Sequence, residues 1–225
     1  MDIGKALGFV FEDERWLGKI LIGALITLIP VFGQFALVGY GIAVIRNVLA
    51  GNPRPLPEWS NLGSYFMDGL KLSVVNIIYS APMLIIFCPF LLLVLIPLSG
   101  ERGQEAIAGL TVVLVFGIGC ILSIYGILLG LLTPAIQVRY AATGAIGQCL
   151  RIGEMFSFTF SNLGSVIIAI LVPAVIVAFL APILATLTLG LLTLPMAVWM
   201  IAASAHLYGQ IGRQAGVTVY QYSSY

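Results

Sequence analysis

The words Trp59-Ser60-Asn61-Leu62-Gly63-Ser64 return at Phe160-Ser161-Asn162-Leu163-Gly164-Ser165, six positions with a single aromatic exchange. Each copy follows a polar connector and opens a long apolar run. Each run then meets Ala-Pro at nearly the same distance, Ala81-Pro82 in the first and Ala181-Pro182 in the second. Apolar runs of this length are what a membrane helix requires. The pattern predicts one unit used twice: membrane helix, connector, membrane helix.

Composition sets the solvent. Sixty per cent of the residues are hydrophobic, 8% are charged, and the mean hydropathy is +1.10. A soluble domain carries about 25% charged residues, so this chain lacks the material for a water-facing surface. The formal net charge of +1 gives no electrostatic argument for nucleic acid. Three cysteines, Cys88, Cys120 and Cys149, are too few and too widely spaced for a disulfide framework or metal knuckle. They read as small buried hydrophobes.

Working outward, residues 1–16 read as an interfacial helix, with Ile3, Leu7, Val10 and Phe11 on one apolar stripe and Trp16 with Lys19 as headgroup anchors. No cleavable signal peptide is evident, so the first span serves as the insertion signal. The run Leu17–Ala50 would reach about 50 Å as one straight helix, against about 30 Å of hydrocarbon. Pro30, Gly33 and Gln34 interrupt it. It is read as a single kinked helix, the alternative being a re-entrant pair divided at Pro30–Gln34. The first connector, Gly51-Asn-Pro-Arg-Pro-Leu-Pro-Glu-Trp59, carries three alternate prolines and reads as an extended strap. A second span covers about Tyr65–Pro97, with Pro82 and Pro89 as expected kinks, and ends in the polar turn Ser99–Glu105. A third covers about Ala106–Pro134 and contains Gly126-x-x-x-Gly130, a spacing that permits close helix approach. Ala135–Thr159 reads as a second connector with a short amphipathic helix. The apolar stretch Gly164–Gly209 is long enough for two crossings, turning near Ala181–Leu189, and Gly212–Tyr225 is a polar tail.

The expected fold is an all-α integral membrane protein with about five transmembrane helices, or six. It is one membrane domain over residues 1–225: an interfacial helix (1–16), two parallel helix–connector–helix repeats (17–97 and 106–183), a final span (187–211) and a tail (212–225). With five spans the connectors and C-terminus share one side, which carries six basic residues against four on the other. The positive-inside rule then makes that side cytoplasmic, in the plasma membrane of a bacterium or archaeon. A re-entrant or double-crossing first segment would bring the N-terminus there too. Repeats inserted in the same sense imply a pseudo-two-fold axis along the membrane normal and a seam between the copies.

The chemistry is sparse. No phosphate-binding loop, His-Glu-x-x-His or Gly-x-Ser-x-Gly is present, and there is one histidine. The spans hold no paired carboxylates of the kind proton relays use. No catalytic, cofactor or metal residues are assigned. Gln34, Asn76, Tyr79 and His206 are candidate polar residues of the seam, each with a simpler reading as an interhelical or backbone hydrogen bond. Trp59, Arg46, Arg139 and Arg213 are candidate lipid or partner contacts. The three arginines sit near helix C-termini, where they complement the dipole and an anionic leaflet. Asp68 and Lys71 are spaced for an i,i+3 ion pair.

Phe11-Glu-Asp-Glu-Arg-Trp16, Gly39-Tyr40, Gly51–Trp59, Asp68-Gly-Leu-Lys71 and Ala205-His-Leu-Tyr-Gly-Gln210 together resemble the family known as domain of unknown function 4013. The resemblance covers most of the chain, and Leu-Pro-Glu-Trp is its most specific part. It implies a polytopic prokaryotic membrane protein and brings no activity. The functional expectation is a non-enzymatic bundle, an accessory, assembly or lipid-organising subunit whose partners are membrane lipids, complex subunits or a second copy. The alternative is a small permease or channel-like module with its pathway at the seam.

Overall fold

The computed structural model describes residues 1–95 and 104–219, which are helices joined by turns, with no strand among them. The helices are α1 (Ile3–Gly8), α2 (Trp16–Thr27), α3 (Phe32–Leu49), α4 (Leu62–Leu95), α5 (Gln104–Thr143), α6 (Ile146–Cys149), α7 (Ile152–Ser161), α8 (Leu163–Thr188) and α9 (Thr193–Gln214). Among the described residues, Phe32–Leu49, Trp59–Cys88, Val113–Thr143 and Leu163–Thr188 are long and apolar enough to cross a membrane. The protein is an all-α integral membrane protein. Most of the turn Ser99–Glu105 and the end of the tail lie outside the described residues.

The first apolar run is not one kinked helix. Pro30 has no N–H to continue a helix, and the chain turns through Leu28–Val31, with Val31 in the left-handed region at φ 66°. Gly33 then packs so closely on α2 that a Cβ would overlap the Ile26 carbonyl. α2 and α3 therefore form an antiparallel pair divided at Pro30, the alternative reading of this stretch. Lys19, near the start of α2, bonds the carbonyl of Leu56, beyond the end of α3. The N-terminus thus shares an end with the first connector instead of lying across the membrane from it.

Residues 1–16 differ from the expected interfacial helix for a related reason. α1 is capped by Asp2, whose carboxylate accepts from the Lys5 N–H, and gives way to a 3-10 turn at Phe9–Glu12. Ala6, Phe9 and Val10 are buried against the bundle, whereas Phe11 is 51% exposed. The apolar side covers protein: Phe9 stacks on His206 of α9 at 4.5 Å, and Trp199 Nε1 donates to the Leu7 carbonyl.

Two compact units emerge, Met1–Val75 with Leu132–Tyr225, and Asn76–Leu131. In the first, α9 is the axis. It packs against α1, α2, α3 and α8, and most residues from Met196 to Gly212 are buried. α3 and α9 run parallel, with Gly41 against Ile201, Gly209 against Val48 and Gly212 against Leu49. α4 crosses α3 antiparallel through two bare glycines: a Cβ at Gly39 would overlap the Tyr65 carbonyl, and one at Gly69 the Phe35 carbonyl. At Gly126 and Gly130 a Cβ would meet nothing within 4 Å among the described residues, so no close helix contact is seen there at the glycine pair picked from spacing. In the second unit, Tyr125 Oη donates to the Tyr79 carbonyl at 2.7 Å, joining its two helical segments.

Other boundaries shift for local reasons. α5 runs through Pro134 to Thr143, and the second connector holds two short helices, α6 and α7. α8 runs through both Pro173 and Pro182, and the turn comes at Leu189, the far end of the expected range, whose φ of 52° ends the helix. Cys149 is buried, while Cys88 and Cys120 are exposed on the long helices. Exposed Phe116, Ile124, Leu171, Phe179 and Leu189 form surfaces that only lipid or another apolar partner covers well.

Gly39→Ala should lower unfolding stability in micelles by on the order of 1–3 kcal/mol through overpacking. Gly63→Ala, at an open helical position, should be neutral or stabilise by up to about 1 kcal/mol. Chemical denaturation of the two variants side by side checks the pair.

Candidate functional site

Among the described residues the ion pairs gather toward the connector end. Lys19 is only 5% exposed, and burying an ammonium demands charge and hydrogen-bond compensation. Its Nζ lies 2.7 Å from Asp13 Oδ2 and 3.1 Å from Glu58 Oε1, and donates to the Leu56 carbonyl at 3.1 Å. Burial pushes the Asp13 carboxyl up; the Lys19 hydrogen bond, the Arg15 amide and the charges of Lys19 and Arg54 outweigh it, so its pKa falls below the usual 3.8.

The strap is held residue by residue. Trp59 Nε1 donates to the Lys19 carbonyl at 2.7 Å, and its ring stacks on Tyr40 at 4.2 Å and 8°. Tyr40 Oη donates to the Pro57 carbonyl, Tyr65 Oη to the Glu58 carbonyl and Asn47 Nδ2 to the Pro55 carbonyl. Tyr65 meets both Tyr40 and Trp59 edge to face. Gly23 leaves room for Trp59, whose Cζ2 would lie 2.8 Å from any Cβ there. The prolines remove donors that an extended, unpaired strap could not satisfy, and neighbouring side chains satisfy the carbonyls.

A second cluster joins three helices. Arg46 Nη1 pairs with Asp68 Oδ2 at 2.5 Å, and Arg46 Nε donates to the Ala141 carbonyl. Tyr140 Oη donates to Asp68 Oδ1 at 2.8 Å. The partner of Asp68 is therefore Arg46 and not Lys71, which is exposed and forms no ion pair among the described residues. In the second connector Glu154 accepts from both Arg139 and Arg151. Its carboxyl is lowered first by the Arg151 hydrogen bond, against desolvation, with both arginine charges helping. Burial pushes the Cys149 thiol up to about 11, against the nearby Arg139 charge, which makes it unreactive.

The predicted residues separate. Trp59 is buried in the latch and not presented to lipid. Arg46 is taken by Asp68 and Arg139 by Glu154, whereas Arg213 is exposed in the last turn of α9. Gln34 is exposed beside the α2–α3 turn, at the opposite end of that helix pair from the strap. His206 is buried toward the connector end of α9, and Asn76 is exposed and Tyr79 buried in the second unit. Among the described residues no group of three or more His, Cys, Asp or Glu could hold a metal. Sequence reading took Lys19 as a headgroup anchor, whereas it is buried and paired with Asp13 and Glu58, and it missed Asp13, Tyr40 and Tyr65. The usable signal was a lysine inside an apolar run, which requires a counter-ion, with carboxylates available on either side.

The profile described as "Protein of unknown function (DUF4013)" matches residues 22–194. The chain belongs to the DUF4013 family. The match takes in Gly39-Tyr40, the whole strap and Asp68–Lys71, but neither Phe11–Trp16 nor Ala205–Gln210, on which the resemblance also drew. No curated protein and no solved structure matches the chain. Within the matched stretch, Leu56, Pro57, Glu58 and Trp59 each close a contact between the strap and the helices.

Because the Asp13 pKa is lower folded than unfolded, its stabilising contribution is present above about pH 4 and is lost as pH falls through the folded value. Unfolding midpoints measured from pH 7 to pH 3 should drop at the acid end. Asp13→Asn should start lower at pH 7 and lose that part of the acid dependence.

Proposed function

We propose that the protein is a non-enzymatic membrane bundle that works through contacts, as an accessory, assembly or lipid-organising component of a prokaryotic plasma membrane. One observation carries this reading. The polar groups that could have formed a reactive or conducting site, Lys19, Asp13, Glu58, Arg46, Asp68 and Tyr140, are spent on one another and on strap carbonyls. What remains for partners is an apolar belt and a basic rim. The belt includes an apolar groove of about 430 Å³ beside Trp16, Trp199 and Met196. Burial of Pro55, Leu56, Pro57 and Trp59 in the connector supports a scaffold whose shape, not its reactivity, is its output.

Lys5, Arg15, Lys19, Arg46, Arg54, Arg139, Arg151 and Arg213 gather toward the connector end with the N-terminal segment. By the positive-inside rule this supports a cytoplasmic connector face. A transport pathway draws no support from the placement of Gln34 and His206 toward opposite ends of the bundle.

Affinity purification in mild detergent followed by native mass spectrometry should recover a stoichiometric partner, a second copy or tightly held lipid. A lipid-free monomer would overturn the proposal.

A further inference from the structure

A crevice of about 180 Å³ opens where the N-terminal helix, the strap and the end of α9 meet, with Asp2, Lys5, Asn52, His206, Gln210 and Arg213 in its wall. That is room for several waters at roughly 30 Å³ each. Its polar groups are arranged by one glutamine. Gln210 Oε1 accepts from the Asp2 N–H at 2.6 Å, and Gln210 Nε2 donates to the Asp2 carbonyl at 2.9 Å. These two hydrogen bonds to the backbone fix which end of the amide is which.

The second hydrogen on Gln210 Nε2 then points to His206 Nδ1, 3.0 Å away. Nδ1 must accept, so the neutral ring carries its proton on Nε2. His206 is only 4% exposed, and its Nε2–H has no partner among the described residues. Arg139 Nε and Thr159 Oγ1 are the buried side-chain atoms without a partner among the described residues, so the His206 Nε2–H reaches accessible space, and its residue lines the crevice. Lys5 and Arg213, in the same wall, are exposed and form no ion pair among the described residues.

We propose that the crevice binds a phosphoryl group, with Lys5, Arg213 and the His206 Nε2–H as donors. Two cations and a fixed neutral N–H suit phosphate oxygens, which take charge-assisted hydrogen bonds well. Asp2 opposes such a ligand: its Oδ1 caps α1 by accepting from the Lys5 N–H, and its charge repels an anion. The chemistry is that of a phospholipid headgroup or of soluble phosphate, and the connector end is where both are within reach. The site stands independently of the contact role proposed above.

The test uses the full-length protein in mild detergent with two probes. Inorganic phosphate is titrated calorimetrically, and retention of phosphatidylglycerol against phosphatidylcholine is read by native mass spectrometry after extraction from vesicles of each lipid. Lys5→Gln and Arg213→Gln should each weaken the bound probe roughly tenfold. Asp2→Asn keeps a good helix cap and should tighten it severalfold, so a gain is expected as well as losses. Arg151→Gln, outside the crevice, should change nothing. Saturable phosphate binding that follows this order identifies a soluble ligand; selective phosphatidylglycerol retention that phosphate does not displace identifies a headgroup. Binding of neither probe above the phosphatidylcholine control, or binding unchanged in all three crevice variants, overturns the proposal.

Discussion

A single buried ammonium constrains the first half of this molecule. Lys19 lies four residues into a helix that is otherwise apolar, and such a charge persists only where it is paired and fully hydrogen-bonded. Asp13 arrives from before the helix, Glu58 and the Leu56 carbonyl from after the next one. Satisfying Lys19 therefore brings the start of α2 to the strap that follows α3. The hairpin turn at Pro30, the shared face of N-terminus and connector, and the seat of Trp59 under the Lys19 carbonyl are consistent with that one requirement.

Helix packing supplies the second constraint. In lipid the hydrophobic effect does not drive helices together, so association rests on close dispersion contact and on polar groups that find partners. Both devices recur here. Gly39 and Gly69 bring α3 and α4 to backbone distance, and Arg46, Asp68 and Tyr140 tie the same pair to α5. α9 is less continuously apolar than α8 because it is lined by protein: its Gly209, Gly212, His206 and Gln210 meet α3, α5 and the N-terminal segment rather than acyl chains.

The class of fold was legible in the sequence, since length and hydropathy of the apolar runs answer directly to the bilayer. Two helix starts were legible as well. Both copies of Ser-Asn-Leu-Gly-Ser open a long helix, at Leu62 and Leu163. They do so in different settings, with Trp59 buried and Phe160 exposed by 58%. What could not be read is long-range partnership. Asp68 has Lys71 three residues away and Arg46 twenty-two away, and only the crossing of α3 and α4 decides between them. Gly126 and Gly130 have the spacing of a packing motif, yet spacing carries no information about which face meets a neighbour. The Pro30 turn was ambiguous because proline is compatible with a kink or a break, and the deciding charge pair involves residues far apart in sequence.

The account rests on the hairpin that Lys19 closes. The most direct measurement places single cysteines at Glu14 and at Asn61, in a chain whose native cysteines are replaced by serine, and labels them with an impermeant maleimide in sealed, oriented vesicles. Both positions should react from the same side. Reaction of Glu14→Cys and Asn61→Cys from opposite sides would mean that the segment between them crosses once, and would contradict the account.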